Sequence, residues 1–231
     1  APPATVPLTD DWPFVYLRSR TIPREYLIAM ALMALASLAL VRFGTGRGFR
    51  GFDLHFFALG AGFLLIETRG LAVLALLVGS TWGVMSAVFA GVLAMALAAT
   101  LLASRIGGAA ASPRTIHLVY ALLAVALIMQ LVVHVGDLAA LPLGARAVLG
   151  ALVVSLPLFA SGTVFGVSLA RAGAADRALA SNLVGAMAGG LLEYLSMVVG
   201  FRMLVLVAAG FYAVAFVAGR RYRTASTPEA A

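Results

Sequence analysis

Long apolar runs separated by short polar or glycine-rich intervals set the pattern of this chain. From Pro23, a favourable first-turn residue, an apolar run extends through YLIAMALMALASLALV to Arg42. Residues 54–104 are almost continuously apolar, and a membrane-crossing helix needs about 20 residues. That stretch therefore divides into two passes, Leu54 to Val78 and Trp82 to Ser104, around the turn GSTWG at 79–83. Further passes are predicted at His117 to Val135, Ala147 to Ala170, Leu179 to Phe201 and Met203 to Gly219. The fold class expected is an all-α polytopic integral membrane bundle of about seven transmembrane helices. Within the fifth pass, Pro157 has no N–H for the carbonyl of Val153, so a kink is expected there.

The pattern divides the chain into an N-terminal segment (1–24), a seven-helix transmembrane domain (25–222) and a polar C-terminal tail (223–231). Trp12, Phe14 and Tyr16, followed by Arg18 and Arg20, suit a segment lying among lipid headgroups. No signal-peptide pattern opens the sequence, so the expectation is either a missing processed segment or the membrane portion of a longer polypeptide.

Composition agrees with the run pattern. The chain is 63% hydrophobic and 11% charged, against about 45–50% and about 25% in soluble domains. All sixteen basic residues are arginine, and the formal net charge is +7. The arginines mark helix ends and form no single stripe, which argues against a nucleic-acid partner and for the lipid bilayer and its anionic headgroups. With alternate intervals on alternate sides, the N-terminal side holds five arginines and the opposite side ten, Arg69 lying within a pass. The positive-inside rule then puts the N-terminus outside and the C-terminus on the cytoplasmic side.

No catalytic, cofactor or metal site emerges. Cysteine is absent, and His55, His117 and His134 show no metal-ligand spacing. GTGRGFRG (44–51) joins two apolar passes, not a strand and a helix, so it does not read as a phosphate loop.

Candidate chemistry is confined to polar groups inside the passes. A charge at mid-bilayer costs at least ~2.5–3.5 kcal/mol, so such residues are paired, protein-facing or functional. Glu67 and Arg69 fall mid-way along the second pass, and Glu193, beside Tyr194, in the sixth. On a helix Glu67 and Arg69 diverge by about 200° and cannot pair with each other. Either Glu67-Thr68-Arg69 marks a local helix break satisfied inside the bundle, or it belongs to a site; Arg69 with Glu193 is the expected pair. Asn182, Gly185, Ala186, Gly189, Gly190, Glu193 and Ser196 share one helical face. Gly185 and Gly189 allow a close helix contact, as do Gly162 and Gly166 in the fifth pass. Passes five and six are expected to meet through these faces. The intramembrane cluster expected is thus Glu67, Arg69, Asn182, Glu193 and Tyr194.

Three segments carry a family likeness. PLTDDWPFVYL (7–17) resembles the end of the catalytic domain in spermidine synthase-like proteins. FFALGAGFLLIETRGLAVLALLVGSTWGV (56–84) and ALASNLVGAMAGGLLEYLSMVVGFR (178–202) resemble the membrane part of large bacterial proteins of that kind. The resemblance implies a C-terminal membrane domain following a fused or associated aminopropyltransferase-like domain. It carries over no catalytic residue, since Asp10 and Asp11 match only the closing motif. A cytoplasmic synthase domain would put the N-terminus inside, against the arginine count. Three functions are open: a non-catalytic anchor or accessory subunit among other membrane subunits; a polyamine or small-cation site using Glu67 and Glu193; or the membrane part of an aminopropyltransferase.

Overall fold

The computed structural model describes Thr9 and residues 11–17, 19–44, 52–79 and 82–224. Residues 1–8, Asp10, Arg18, the glycine-rich interval 45–51, turn residues 80–81 and the tail 225–231 lie outside them. From Arg24 on, the described residues are helical except for short connections: α1 Arg24–Gly44, α2 Leu54–Val78, α3 Trp82–Arg105, α4 Pro113–Val132, α5 Val135–Ala139, α6 Leu143–Ala170, α7 Ala175–Leu192, α8 Ser196–Val199, α9 Phe201–Ala218 and α10 Arg220–Thr224. Among the described residues, five helical stretches are long and apolar enough to cross a membrane: Leu54–Val78, Pro113–Val132, Leu143–Ala170, Ala175–Val199 and Phe201–Ala218.

Local chemistry explains the boundaries. Asp53 starts α2 by accepting the His55 N–H at 3.0 Å, which satisfies a donor left over at a helix N-terminus. Ser112 does the same for α4 through Thr115 N–H at 3.1 Å, with Pro113 in the first turn. This capping starts α4 four residues before the expected His117. The helix α6 begins at Leu143, ahead of the expected Ala147, and runs on through Pro157. The sixth pass, expected as one helix, changes to a 3₁₀ turn at Glu193–Leu195 before α8. Gly200 then separates α8 from α9 at φ +88°, in the left-handed region where a side chain is strained.

The helix α2 is the hub. Eight of its residues, including His55, Phe56, Leu59, Leu65 and Ile66, are at most 1% exposed, and more than half of the helix is buried. It runs parallel to α7, with Phe57 against Gly185 and Ala61 against Gly189. It is antiparallel to α9, with Gly62 on Tyr212 and Arg69 at Phe201, and to α6, with Gly70 on Val154 and His55 at Ser168. Outside this ring, α4 packs on α6 and α9, α3 on α6, and α1 on α7.

The two glycine pairs are used, but not on each other. Gly162 and Gly166 face Ala99 and Ala103 of α3, where added Cβ atoms would lie 3.0 and 2.8 Å from the alanine methyls. Gly185 and Gly189 face α2 so closely that a Cβ on either would overlap the carbonyls of Phe57 and Ala61. The expected meeting of the fifth and sixth passes through these faces is therefore corrected. Each small face takes a parallel neighbour whose backbone can approach, and the hub α2 stands between.

Outward faces are apolar. Leu93, Leu97 and Leu101 repeat along α3, and Leu118, Val125, Ile128 and Val132 along α4, all exposed. On α1, Leu27, Ile28, Leu32, Leu35 and Leu38 are likewise uncovered.

Candidate functional site

Arg69 is buried, and among the described residues no carboxylate pairs with it. Its Nη1 donates to Gln130 Oε1 of α4 at 2.6 Å, and its Nε donates to the Phe201 carbonyl at 3.1 Å. Gln130, itself 3% exposed, completes a relay: its Nε2 donates at 3.2 Å to the carbonyl of Val153. This is the carbonyl that Pro157, four residues on, leaves without a helical donor. One polar chain thus joins α2, α4, α6 and the start of α9.

The expected Arg69–Glu193 pair is not formed. Gly62, seven residues or two helical turns before Arg69, faces Tyr212 of α9, so Arg69 shares the α9 side of α2. The α7 side is the one bearing Phe57, Ala61 and Leu64. The carboxylate whose charge acts on Arg69 is Asp11. Nor does Glu67-Thr68-Arg69 break the helix: α2 is continuous, and Thr68 Oγ1 donates back to Leu64 and Leu65 carbonyls at 3.0 and 3.3 Å.

Asp11 belongs to an N-terminal clamp. Its carboxylate accepts the Arg202 N–H at 2.6 Å, and its carbonyl accepts the Phe201 N–H at 2.9 Å, so it caps α9. Trp12, expected among the headgroups, is instead fully buried, with Nε1 donating to the Met197 carbonyl at 2.7 Å. Phe14 lies 5.5 Å from the Phe201 ring. The backbone break at Gly200 leaves helix-end groups to be satisfied, and this segment satisfies them.

Glu193 and Tyr194 sit elsewhere, at the junction of α7 with α1. The Tyr194 ring lies 5.3 Å from that of Tyr26, and Tyr26 and the charge of Glu193 both act on the Tyr16 hydroxyl. Burial, then Tyr26, Tyr194 and Glu193, push the Tyr16 hydroxyl above its ordinary pKa. Glu67 and Glu193 are each half-buried and form no hydrogen bond or ion pair among the described residues. Asn182 stands nearer the other end of α7, donating to the Phe56 carbonyl at 3.1 Å. Arg69, the Glu193–Tyr194 pair and Asn182 thus stand in three separate places.

A further polar cluster, missed in the sequence, closes the opposite end of the bundle. His55 is 1% exposed. Its Nδ1 meets the Ala215 carbonyl at 2.8 Å and its Nε2 meets Ser168 Oγ at 2.9 Å. A carbonyl only accepts, so Nδ1 carries the proton; in the neutral ring Ser168 then donates to Nε2. Gly219 leaves room for the imidazole, since a Cβ there would overlap it. Beside it, Asp53 N–H donates to Ser181 Oγ at 2.9 Å. The Asp53 carboxylate accepts from Tyr222 Oη and from Arg221 in an ion pair. Burial raises the Asp53 pKa, but the Tyr222, Arg221 and His55 N–H donors outweigh it and hold the carboxyl below its ordinary value. Tyr222 is displaced upward, by burial and then by Asp53. The only local signal was an Asp two residues before a His at the head of an apolar run; the partners lie 169 and 168 residues away.

Among the described residues, no group of three or more His, Asp or Glu side chains is placed to hold a metal ion. No family model, curated protein or solved structure matches this chain.

Proposed function

We propose that the chain is a seven-pass membrane domain of the bacterial plasma membrane, acting as a non-catalytic anchor or accessory subunit of a larger membrane complex. The observation that carries this reading is how the interior polar groups are used. Arg69, Gln130, His55, Ser168, Ser181 and Asn182 all bond neighbouring helices. The outward faces meanwhile carry leucine, isoleucine and valine. Such a body is rigid inside and matched to lipid outside. Kinship with the membrane part of spermidine synthase-like proteins is supported by the three segments at 7–17, 56–84 and 178–202. The arginine distribution supports a cytoplasmic C-terminus.

A second reading, a site for a polyamine or another small cation, is favoured by one feature. Glu193 is half-buried beside three tyrosines, and aromatic faces with a carboxylate suit an ammonium group.

Both readings meet in one experiment. The full chain is expected to stay in membranes through an alkaline carbonate wash; release would end the membrane reading. The purified chain and its Glu67→Gln/Glu193→Gln variant are then melted with and without spermidine. The anchor reading expects a melting point that spermidine does not move in either protein. A spermidine-dependent rise lost in the double variant would replace it with the cation reading. Because the chain has no cysteine, Gly173→Cys and Ala140→Cys report topology. Labelling of the first only from the cytoplasm, and of the second only from outside, is the expected outcome.

A further inference from the structure

Two interior hydroxyls stand apart from the paired polar groups described above. Tyr212 of α9 is 4% exposed and Tyr120 of α4 is 9% exposed, and neither hydroxyl has a hydrogen-bond partner among the described residues. A phenol hydroxyl buried without a partner carries the full cost of its desolvation. Such a group calls for a ligand or another physical reason.

The two are neighbours for a reason that starts in the sequence. Tyr212 and Phe216 are four residues apart, so they lie one turn apart on the same face of α9. The Tyr120 ring packs edge-on against Phe216, with 4.9 Å between centroids, which brings α4 to that face. Gly62 of the hub makes space on the other side. A Cβ there would lie 2.9 Å from Tyr212 Cζ, the carbon that bears the hydroxyl, so glycine lets the head of the phenol approach α2 this closely. Ser161 of α6, also buried, supplies a third hydroxyl. Ser161 and Tyr120 both act on the Tyr212 hydroxyl, and Ser161 Oγ donates its own hydrogen to the Leu158 carbonyl at 3.2 Å.

Depth separates this group from the clusters already described. Gly62 lies seven residues from His55 and seven from Arg69, about 10 Å from each along α2. Tyr212 therefore stands midway between the Arg69–Gln130 relay and the Asp53–His55 cluster.

We propose that Tyr212, Tyr120 and Ser161 hold an internal water molecule between α4, α6 and α9. The donor and acceptor inventory closes around it. Each phenol donates its O–H to a lone pair of the water, and the water donates to Ser161 Oγ, whose own hydrogen is already placed. About three hydrogen bonds is the usual number for a buried water. The water ties three helices at a level where side chains alone leave two donors unmet. It depends on neither the anchor nor the cation reading.

The test uses the full chain in detergent micelles with its Tyr212→Phe, Tyr120→Phe and double variants. Phenylalanine keeps the ring and its packing, so these variants are expected to fold. Each single variant should raise the unfolding equilibrium constant about tenfold, because it leaves the remaining members of the network short of a partner. The double variant should lose less than the sum, since both hydroxyls serve one water. Radiolytic hydroxyl labelling, in which water bound beside a side chain is the source of the radical, reads the water itself. Tyr120 and Tyr212 should be labelled although buried, fully buried Phe56 should not, and the label on Tyr120 should fall in Tyr212→Phe. Coupled losses without labelling would mean that the hydroxyls bond protein groups directly, and would overturn the water. So would two additive losses, an undiminished label on Tyr120, or a single variant at least as stable as the unaltered chain, because an unmet hydroxyl is better removed. Should a variant fail to fold, labelling of the unaltered chain decides, and two unlabelled tyrosines overturn the proposal.

Discussion

Gln130 donates its side-chain N–H, at 3.2 Å, to the Val153 carbonyl that Pro157 leaves without a helical donor. Its other end accepts from Arg69 at 2.6 Å. One amide therefore settles two costs that an apolar bundle cannot ignore, an orphan carbonyl and a buried cation.

Replacing Gln130 with Leu should cost about 3 kcal/mol, because it leaves the Arg69 charge short of a partner. Pro157→Ala restores a helical N–H for Val153. In the double variant it should return about 1 kcal/mol of the loss. Unfolding of the four proteins of this cycle in mixed micelles gives the coupling. Strict additivity would show that the relay does not exist.

The two glycine pairs should differ in tolerance. Gly189→Ala pushes a methyl into the Ala61 carbonyl of the hub helix, and backbone cannot step aside. A loss of about 2–3 kcal/mol is expected. Gly162→Ala meets only the Ala99 methyl at 3.0 Å and should cost less than about 1 kcal/mol. Thermal melting of the two variants side by side decides the order.

The N-terminal clamp can be read by fluorescence, since the chain has two tryptophans. Trp12 is fully buried and Trp82 is 87% exposed. In Trp82→Phe, the remaining emission should be blue-shifted and resist acrylamide. Adding Asp11→Ala removes the α9 cap, at a cost of about 0.5–2 kcal/mol, and should make Trp12 quenchable. Unchanged quenching would mean that Asp11 does not hold the segment down.

The Asp53 cluster gives a pH dependence with a fixed sign. The folded-state pKa of Asp53 lies below its ordinary 3.8, so its contribution is fully present above that value. It is lost as pH falls through the lower, folded-state value. Asp53→Asn should therefore be less stable than the unaltered chain at pH 7, with the gap narrowing below about pH 4. Melting curves across that range are the check; a gap independent of pH would rule out the charge as the cause.

Much of this was legible along the chain because it depends on local composition. The apolar runs are long enough to dictate helices, Pro157 names its own orphan carbonyl, and the periodicity of the sixth pass puts Gly185 and Gly189 on one face with Asn182. Partners were another matter. Nothing near Arg69 indicates that an amide 61 residues away, and not a carboxylate, would receive it. Opposite charge is the obvious pairing in a sequence, but the rotation of α2 turned Arg69 toward α4 and α9 and left Glu193 beside α1. His55 looked isolated because its partners Ser168 and Ala215 lie 113 and 160 residues on. The sequence by itself determined where helices form, since that follows from hydrophobic length and backbone hydrogen bonding within each segment. Only the tertiary structure decided which polar groups meet, because helix rotation and neighbour choice are set by packing across the whole bundle.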